Sequence, residues 1–189
     1  MARAAELCRD HAGSVPDKAL HTRHEDASTR DAAEGAWRDA FLRAPYLRDA
    51  LVARGIFVET FETAITWDKF DALHARVVQA ARDAAETKAL VSCRITHAYP
   101  DGAAPYFTVV APARADGELS QWLAVKTAIT DAMLAEGGTT THHHAVGRDF
   151  RPWYEQQVPT LLRSSLEAVK RQLDPSSILN PGVLLPEAD

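Results

Sequence analysis

Three short runs of β-branched and aromatic residues predict the strands of a small sheet. The clearest is 56–63, Ile-Phe-Val-Glu-Thr-Phe-Glu-Thr, and the other two are 89–98 and 104–111. The turn-forming residues Tyr99-Pro100-Asp101-Gly102 separate the second run from the third. A fourth, shorter strand is predicted at 139–144.

Apolar residues at helical spacing fill the intervals between these runs. Thr66 can begin a helix whose apolar face continues to about Glu86. A second amphipathic helix is predicted over 119–133, with Gly137-Gly138 ending it, and a third over 159–174.

The chain before the first strand is more polar. A short helix is predicted at about 2–12, followed by a polar loop over 13–35 that contains almost no large apolar residue. Residues 30–54 predict a helix that breaks at Pro45, then a second helix that ends at Gly55.

The order of elements predicts the fold class. Helices are followed by β-α-β-β-α-β and a last helix, which is the ferredoxin-like split βαβ pattern. We therefore expect an α+β fold: an antiparallel sheet with helices on one face, plus N- and C-terminal helices. The predicted division is an N-terminal helix and polar loop, 1–35, and one larger domain, 36–189.

Composition narrows the class of protein. The 189 residues are 46% hydrophobic, enough for one core, and carry a formal net charge of −5, which argues against nucleic-acid binding. No segment approaches the roughly 20 apolar residues of a transmembrane helix, and the N-terminus does not resemble a secretory signal. With two cysteines, Cys8 and Cys93, no disulfide framework is expected, and we expect a cytoplasmic protein.

Several common catalytic motifs do not occur in the sequence. There is no phosphate-binding P-loop, dinucleotide-binding glycine motif or G-x-S-x-G nucleophile elbow. Neither H-E-x-x-H nor zinc-type Cys/His spacing is found.

The run His142-His143-His144 is the most unusual feature of the sequence. On a strand, His142 and His144 would point to one face and His143 to the other, so we expect no metal site from this run alone. The imidazoles could simply bond to backbone carbonyls at a strand end. Because imidazole titrates near neutrality, three together also suit a ligand pocket.

Three further residues could carry chemistry. Tyr106 is either a packing residue on a strand or a phenol that transfers a proton beside a cation. Arg48 could pair with a nearby acid or bind an anion through its guanidinium. Arg94 lies within a predicted strand, where a charge must be paired or face solvent.

Together these segments resemble the C-terminal, substrate-side domain of FAD-linked oxidases of the vanillyl-alcohol-oxidase class. Within that class they are most similar to the branch that contains alkyldihydroxyacetonephosphate synthase. The segments that carry the resemblance are Pro45-Tyr46-Leu47-Arg48-Asp49, Phe61-Glu62-Thr63-Ala64-Ile65-Thr66-Trp67-Asp68, Cys93-Arg94-Ile95-Thr96-His97-Ala98-Tyr99, Gly102-Ala103, Tyr106-Phe107, Gly137-Gly138, His142-His143-His144-Ala145-Val146-Gly147, Asp174-Pro175 and Ile178-Leu179-Asn180-Pro181-Gly182.

The resemblance implies a cap over the reactive face of FAD. In the synthase branch, a long-chain alcohol replaces the acyl chain of a dihydroxyacetone-phosphate ester on the flavin, without net redox change. By this resemblance, Tyr106 is the proton-transferring tyrosine, and the three histidines line the flavin and the substrate head group. Arg48 corresponds to an arginine of the substrate pocket, and His143, His144 and Asn180 are assigned to the cofactor.

The sequence also departs from the family pattern. Ala145 stands where a glycine commonly follows the histidine run, which restricts the backbone there. The family binds most of its FAD with an N-terminal domain that these 189 residues do not contain. We therefore expect a fragment, or a chain that needs a partner, and expect the isolated chain to be inactive.

Two functions remain open from the sequence. The chain is part of an FAD-dependent oxidase or alkylglycerone-phosphate-synthase-like transferase acting on a small, phosphate-bearing lipid precursor. Alternatively, it is a non-catalytic binding or assembly module that keeps the cap fold. In both cases an exposed docking face would favour a homodimer or larger assembly.

Overall fold

A computed structural model describes Glu6 and residues 32–186, without the side chains of 32–41. The chain divides into two compact units, Met1–Pro45 and Tyr46–Asp189. The predicted helix at 2–12 and most of the predicted loop at 13–35 lie outside the described residues. The boundary expected after residue 35 stays a prediction.

The described elements confirm most of the predicted order. In sequence they are α1 (Ala32–Val52), β1 (Ile56–Glu62), β2 (Ile65–Thr66), α2 (Trp67–Ala85), β3 (Leu90–Ala98), β4 (Gly102–Pro112), α3 (Glu118–Ala135), α4 (Gly147–Gln157) and α5 (Thr160–Leu173).

The sheet is antiparallel, with β4 at its centre. Strand β1 and the two-residue strand β2 both pair with β4, one after the other along the same side of it. Strand β3 pairs with the other side of β4. The pairing of β1 and β4 is regular from Ile56 opposite Pro112 to Glu62 opposite Tyr106. Since β4 is paired on both sides, residues from β1 and β3 are brought together across it.

Helices α2 and α3 cover the same face of this sheet. Phe57 and Phe61 of β1 and Phe107 of β4 point into the core, where α2 and α3 pack against them. The helices contribute the buried residues Leu73, Val77, Ala81, Ala85, Val125, Ile129 and Met133. Apart from the buried residues Glu62, Gly102 and Ala104, the strand residues of the opposite face are only partly buried or exposed, so this face is where a site is accessible.

Two predicted features are wrong. Residues 139–144 form a loop rather than a strand, because the amides of residues 142–144 turn toward one side chain instead of a neighbouring strand. Helix α1 also continues through Pro45 instead of breaking there. Proline removes one backbone hydrogen bond, which a helix with exposed residues on both sides of it can tolerate.

The sequence patterns did not predict one of the observed helices. Helix α4 contains Pro152 and is mostly polar, and its only buried residue is Trp153, so it offers few apolar residues from which to predict a helix. The α+β class is confirmed. The ferredoxin-like pattern is not confirmed, because the segment expected as its last strand is the loop at 139–144. Among the described residues, no helix is long and apolar enough to cross a membrane.

Candidate functional site

A row of three polar side chains crosses the accessible face of the sheet. Glu62 of β1 lies opposite Tyr106 of β4, and Tyr106 lies opposite Arg94 of β3. The Arg94 guanidinium carbon is 4.4 Å from the centre of the Tyr106 ring. Strand register alone therefore places an acid, a phenol and a cation side by side.

A bulge in β3 adds His97 to this face. The pairing with β4 shifts between Ile95 and His97, so that His97 lies opposite Ala104. Without the bulge, the two-residue period of a strand would put Arg94 and His97 on opposite faces. With it, both lie on the Tyr106 side.

Glu62 organises the histidine loop. Its carboxylate is fully buried, and its Oε1 accepts hydrogen bonds from the backbone amides of His142, His143 and His144 at 2.6, 2.9 and 2.8 Å. Three consecutive amides can reach one oxygen only if the backbone curls around it, in the manner of an anion-binding nest. This curl replaces the extended strand that the sequence predicted.

The start of the loop is joined to the end of β1 by further hydrogen bonds. The Thr63 hydroxyl donates to the Thr139 carbonyl at 2.6 Å, and the Ala64 amide donates to the Thr139 hydroxyl at 2.9 Å. On the other side, the Gln157 side chain accepts from the Thr140 amide at 2.8 Å and donates to the Gly138 carbonyl at 2.9 Å. The histidine backbone is thus held on both sides.

The histidine rings pack around Tyr106. His143 lies nearly parallel to the Tyr106 ring with centroids 6.0 Å apart, and His144 meets it edge-on at 5.4 Å. Together with Arg94, they surround the phenol with groups that can donate hydrogen bonds or carry positive charge. Tyr106 is therefore placed for proton transfer as well as for packing.

A second group of rings continues from His142. The Tyr99 hydroxyl is 3.0 Å from Nε2 of His142. His97 lies 5.1 Å from His142 and 5.3 Å from His143, measured between ring centres. One ligand nitrogen from each of His97, His142 and His143 lies within 4.8 Å of the other two. The argument against convergence of the histidines assumed a strand, and it does not apply to the observed loop.

His144 differs from its neighbours in its electrostatics. Burial lowers the pKa of the His144 imidazole, and the negative charge of Glu62 opposes this effect in part. His144 is therefore predominantly uncharged at neutral pH and can accept a proton or a hydrogen bond there.

Residues 2–184 match the family of FAD linked oxidases, C-terminal domain. The chain belongs to this family. The match covers nearly the whole sequence and includes every residue of the face around Tyr106.

Within the FAD-linked oxidases, three relatives are alkyldihydroxyacetonephosphate synthases. Those of Trypanosoma brucei brucei and Caenorhabditis elegans are 33% identical to this chain, over 79% and 70% of its length. That of Dictyostelium discoideum is 26% identical over 79% of the chain. The chain spans about a quarter of these relatives, 23% to 25% of their length.

Solved structures support the family's fold. Two crystal forms of alkyldihydroxyacetonephosphate synthase superpose on 77% of this chain with TM-scores of 0.58 and 0.51. At 20% identity, this similarity concerns the fold alone.

The FAD-linked oxidase resemblance assigned Arg48 and Asn180 to the site, but no described hydrogen bond or ion pair links either residue to the Tyr106 face. Arg48 lies on α1 with 57% of its side chain exposed, and it pairs with neighbouring Asp49 at 3.5 Å. Asn180 is exposed in the segment after α5. Their assigned roles in binding substrate and cofactor stay predictions.

The segment around Asn180 is nevertheless fixed to the domain. The Asp174 carboxylate accepts hydrogen bonds from the Lys170 ammonium and from the amides of Leu179 and Ile178. These bonds, that of Lys170 first, hold the pKa of the Asp174 carboxyl below its usual range. The Asp-Pro-x-x-Ile-Leu-Asn-Pro-Gly ending is thus a structural turn after α5.

Sequence reasoning did not assign a role to three residues of this site. Glu62, His97 and Tyr99 occur in the segments that carry the family resemblance, but no separate feature of the sequence selects them. Glu62 follows the apolar Phe61 in a strand that also contains Glu59, so the sequence did not distinguish the buried acid from the other one. His97 gave no signal either, because the bulge that turns it toward Tyr106 depends on its pairing with β4.

Proposed function

We propose that this chain is the substrate-side cap of a flavin-dependent enzyme, completed by an FAD-binding domain or partner chain. The observation that carries the proposal is the position of Tyr106, which lies between Arg94 on one strand and the rings of His143 and His144. A phenol beside these groups suits proton transfer at the reacting centre of a bound substrate.

The accessible face fits a flat aromatic cofactor. Two rows of small or apolar side chains lie beside the Glu62, Tyr106 and Arg94 row, and these rows are partly buried or exposed. They consist of Thr60, Thr108 and Ser92, followed by Val58, Val110 and Leu90. Imidazole N–H groups at the end of such a surface suit the carbonyl oxygens and ring nitrogens of a flavin.

In the complete enzyme, FAD would supply the electron-accepting chemistry. We assign His143, His144 and Asn180 to its binding, as the family resemblance implies. The chain's own residues then do the rest: the Tyr106 hydroxyl holds or moves a proton, and the histidines orient the substrate head group. Glu62 keeps the three histidine amides in place.

The substrate we propose is a small phosphate-bearing lipid precursor. This follows from the synthase relatives, whose name specifies an alkylated dihydroxyacetone phosphate. Guanidinium binds phosphate through two parallel hydrogen bonds, and Arg94 is the arginine that the described site places beside Tyr106. Arg48 remains the arginine assigned by resemblance.

The decisive experiment is Tyr106→Phe in the complete enzyme, with this chain joined to or mixed with its FAD-binding part. Removing one hydroxyl that transfers a proton should lower kcat by about 10²–10⁴-fold, with flavin absorbance unchanged. Tyr154→Phe on α4 is the matched control and should retain full turnover. Unchanged turnover in Tyr106→Phe would exclude the proton-transfer role.

A second measurement separates the cap from a non-catalytic module that keeps the same fold. The chain and its FAD-binding part are mixed with FAD, and the flavin absorbance that co-purifies with the complex is recorded. We expect retention of flavin. A folded complex that takes up none would favour the binding or assembly module.

The remaining proposals concern the cellular location and the oligomeric state of the protein. We propose a cytoplasmic location, supported by an acidic composition and two cysteines. We also propose that the chain forms a homodimer or larger assembly when it is separated from its FAD-binding partner. The support is the number of large apolar side chains exposed on and after α5.

A further inference from the structure

Three imidazoles from two distant segments meet beside Tyr106. His97 comes from the bulge in β3, and His142 and His143 come from the loop after α3. Their ligand nitrogens all lie within 4.8 Å of one another. We propose that His97, His142 and His143 form a binding site for a zinc ion.

The spacing suits a metal after a small movement of side chains. Zinc binds histidine nitrogen at about 2.1 Å, so two ligands of a tetrahedral ion lie about 3.4 Å apart. The three nitrogens, within 4.8 Å of one another, therefore need to approach by up to about 1.4 Å. His97 is exposed and the His142 and His143 side chains are 23% and 35% exposed, and all three rings contact one another and not the hydrophobic core, so small rotations can bring their nitrogens closer.

The backbone around two of the ligands is already fixed. The amides of His142 and His143 both donate to Glu62 Oε1, and Thr139 is bonded to Thr63 and Ala64 at the start of the loop. An ion would therefore order only side chains, and the entropy lost on binding is small compared with that of a flexible loop.

Glu62 supplies the second observation that points to a metal. Its Oε2 is buried and has no hydrogen-bond partner, although it lies 3.2 Å from Nδ1 of His143 and 3.8 Å from Nδ1 of His142. Histidines that bind metals usually donate their second N–H to a carboxylate, which orients the ring and increases its basicity. At 3.2 Å Glu62 is placed to do this for His143, which leaves Nε2 of that ring for the ion, while Nδ1 of His142 lies within the field of the same carboxylate.

Tyr99 marks the direction in which Nε2 of His142 points. Its hydroxyl is 3.0 Å from that nitrogen, and its ring stacks on His97. A bound ion would take the place of this hydroxyl. Three histidines leave a fourth coordination position open, and that position would accept an oxygen from water or from a phosphate-bearing ligand.

The zinc site can be tested on the 189-residue chain itself, without flavin and without turnover, so its outcome is independent of the proposed function. Zinc is titrated in competition with a chromogenic chelator, and cobalt replaces zinc to report the geometry by its visible spectrum. We expect one ion per chain. His97→Gln and His142→Gln should each weaken binding by about 10-fold or more.

The control removes histidines elsewhere in the chain. The double variant His21→Gln/His24→Gln should bind zinc as tightly as the unaltered chain. If this variant loses the ion, or if His97→Gln binds as tightly as the unaltered chain, the bound zinc is adventitious and the proposal is wrong. Circular dichroism of the metal-free variants establishes that each one is folded.

Two further variants test the roles of Glu62 and Tyr99. Glu62→Gln keeps a carbonyl oxygen for the three amides but removes the charge that faces Nδ1, so zinc affinity should fall by about 10- to 100-fold. Tyr99→Phe removes a competitor for Nε2 of His142 and should retain or increase the affinity. A loss of affinity in Tyr99→Phe, with Glu62→Gln unaffected, would contradict the proposed coordination.

Discussion

At the scale of single residues, Glu62 connects two distant parts of the sequence. It is the last residue of β1, and it binds amides about 80 positions later in the chain. A buried carboxylate is unfavourable unless donors surround it, and the loop amides are donors that would otherwise need water. The acid and the loop therefore stabilise each other.

Substitution of Glu62 should separate its geometry from its charge. In Glu62→Ala, three amides lose their acceptor, and we expect the free energy of unfolding to fall by about 2–4 kcal/mol. Glu62→Gln keeps a carbonyl oxygen at the same position and should lose less than half of that. Urea denaturation followed by circular dichroism measures both. Equal losses for the two variants would show that the charge, and not the acceptor, holds the loop.

The residues of this site differ in how well the sequence predicts them. Tyr106 and the three histidines were selected from the sequence because their side chains carry chemistry and belong to a family motif. Glu62 and His97 were not, because their importance comes from what lies across the sheet from them. The reactivity of a side chain follows from its residue type, whereas the residues that it contacts depend on the fold.

At the scale of elements, the backbones of β2 and β4 approach closely where the two strands pair. Gly102 lies opposite Thr66, and a side-chain carbon at this position would be 2.3 Å from the Ile65 carbonyl oxygen. The Gly102 carbonyl also accepts a hydrogen bond from the Tyr99 amide at 2.8 Å. Glycine is needed here because the neighbouring backbone cannot move without separating the strands.

Gly102→Ala should therefore be costly. We expect the free energy of unfolding to fall by about 3 kcal/mol, because the new methyl group pushes β2 away from β4. Gly117→Ala is the control: there the nearest atoms belong to the Arg114 side chain, which can move away, and the loss should be about 1 kcal/mol or less. Thermal unfolding of the two variants measures the difference, and similar losses would refute the steric argument.

The elements also show where local patterns stop being informative. Strands β1, β3 and β4 and helices α2, α3 and α5 follow their apolar periodicity and were predicted within a few residues. The loop at 139–144 contains Thr-Thr-Thr and was predicted as a strand because β-branched residues favour one. The amides of its three histidines instead turn toward Glu62, and that of Thr140 turns toward Gln157, so long-range hydrogen bonds override local preference.

At the scale of the whole molecule, the chain exposes an apolar stripe on its last helix. Leu162, Val169 and Leu173 of α5 share one face and are 50%, 55% and 77% exposed, and no residue of this helix is buried. Ile178 and Leu179 are exposed just beyond it. A helix with such a face normally packs against a partner.

The isolated chain should therefore associate. We expect light scattering to give a mass above 20.7 kDa that rises with concentration. Leu162→Gln/Leu173→Gln should shift the chain toward monomer. Leu123→Gln, which alters an exposed leucine on α3, should leave the association unchanged. A monomer at all concentrations would contradict the proposed assembly.

The sequence by itself determined the α+β class, most of the elements and the chemistry-bearing Tyr106 and His142-His143-His144. These depend on periodicity and side-chain type, which are local properties of a chain. Only the tertiary structure decided that the histidines curl around Glu62, that a bulge brings His97 beside them, and that Arg94 lies against Tyr106. Each of these depends on backbone pairing between segments far apart in sequence, and no short-range pattern encodes that pairing.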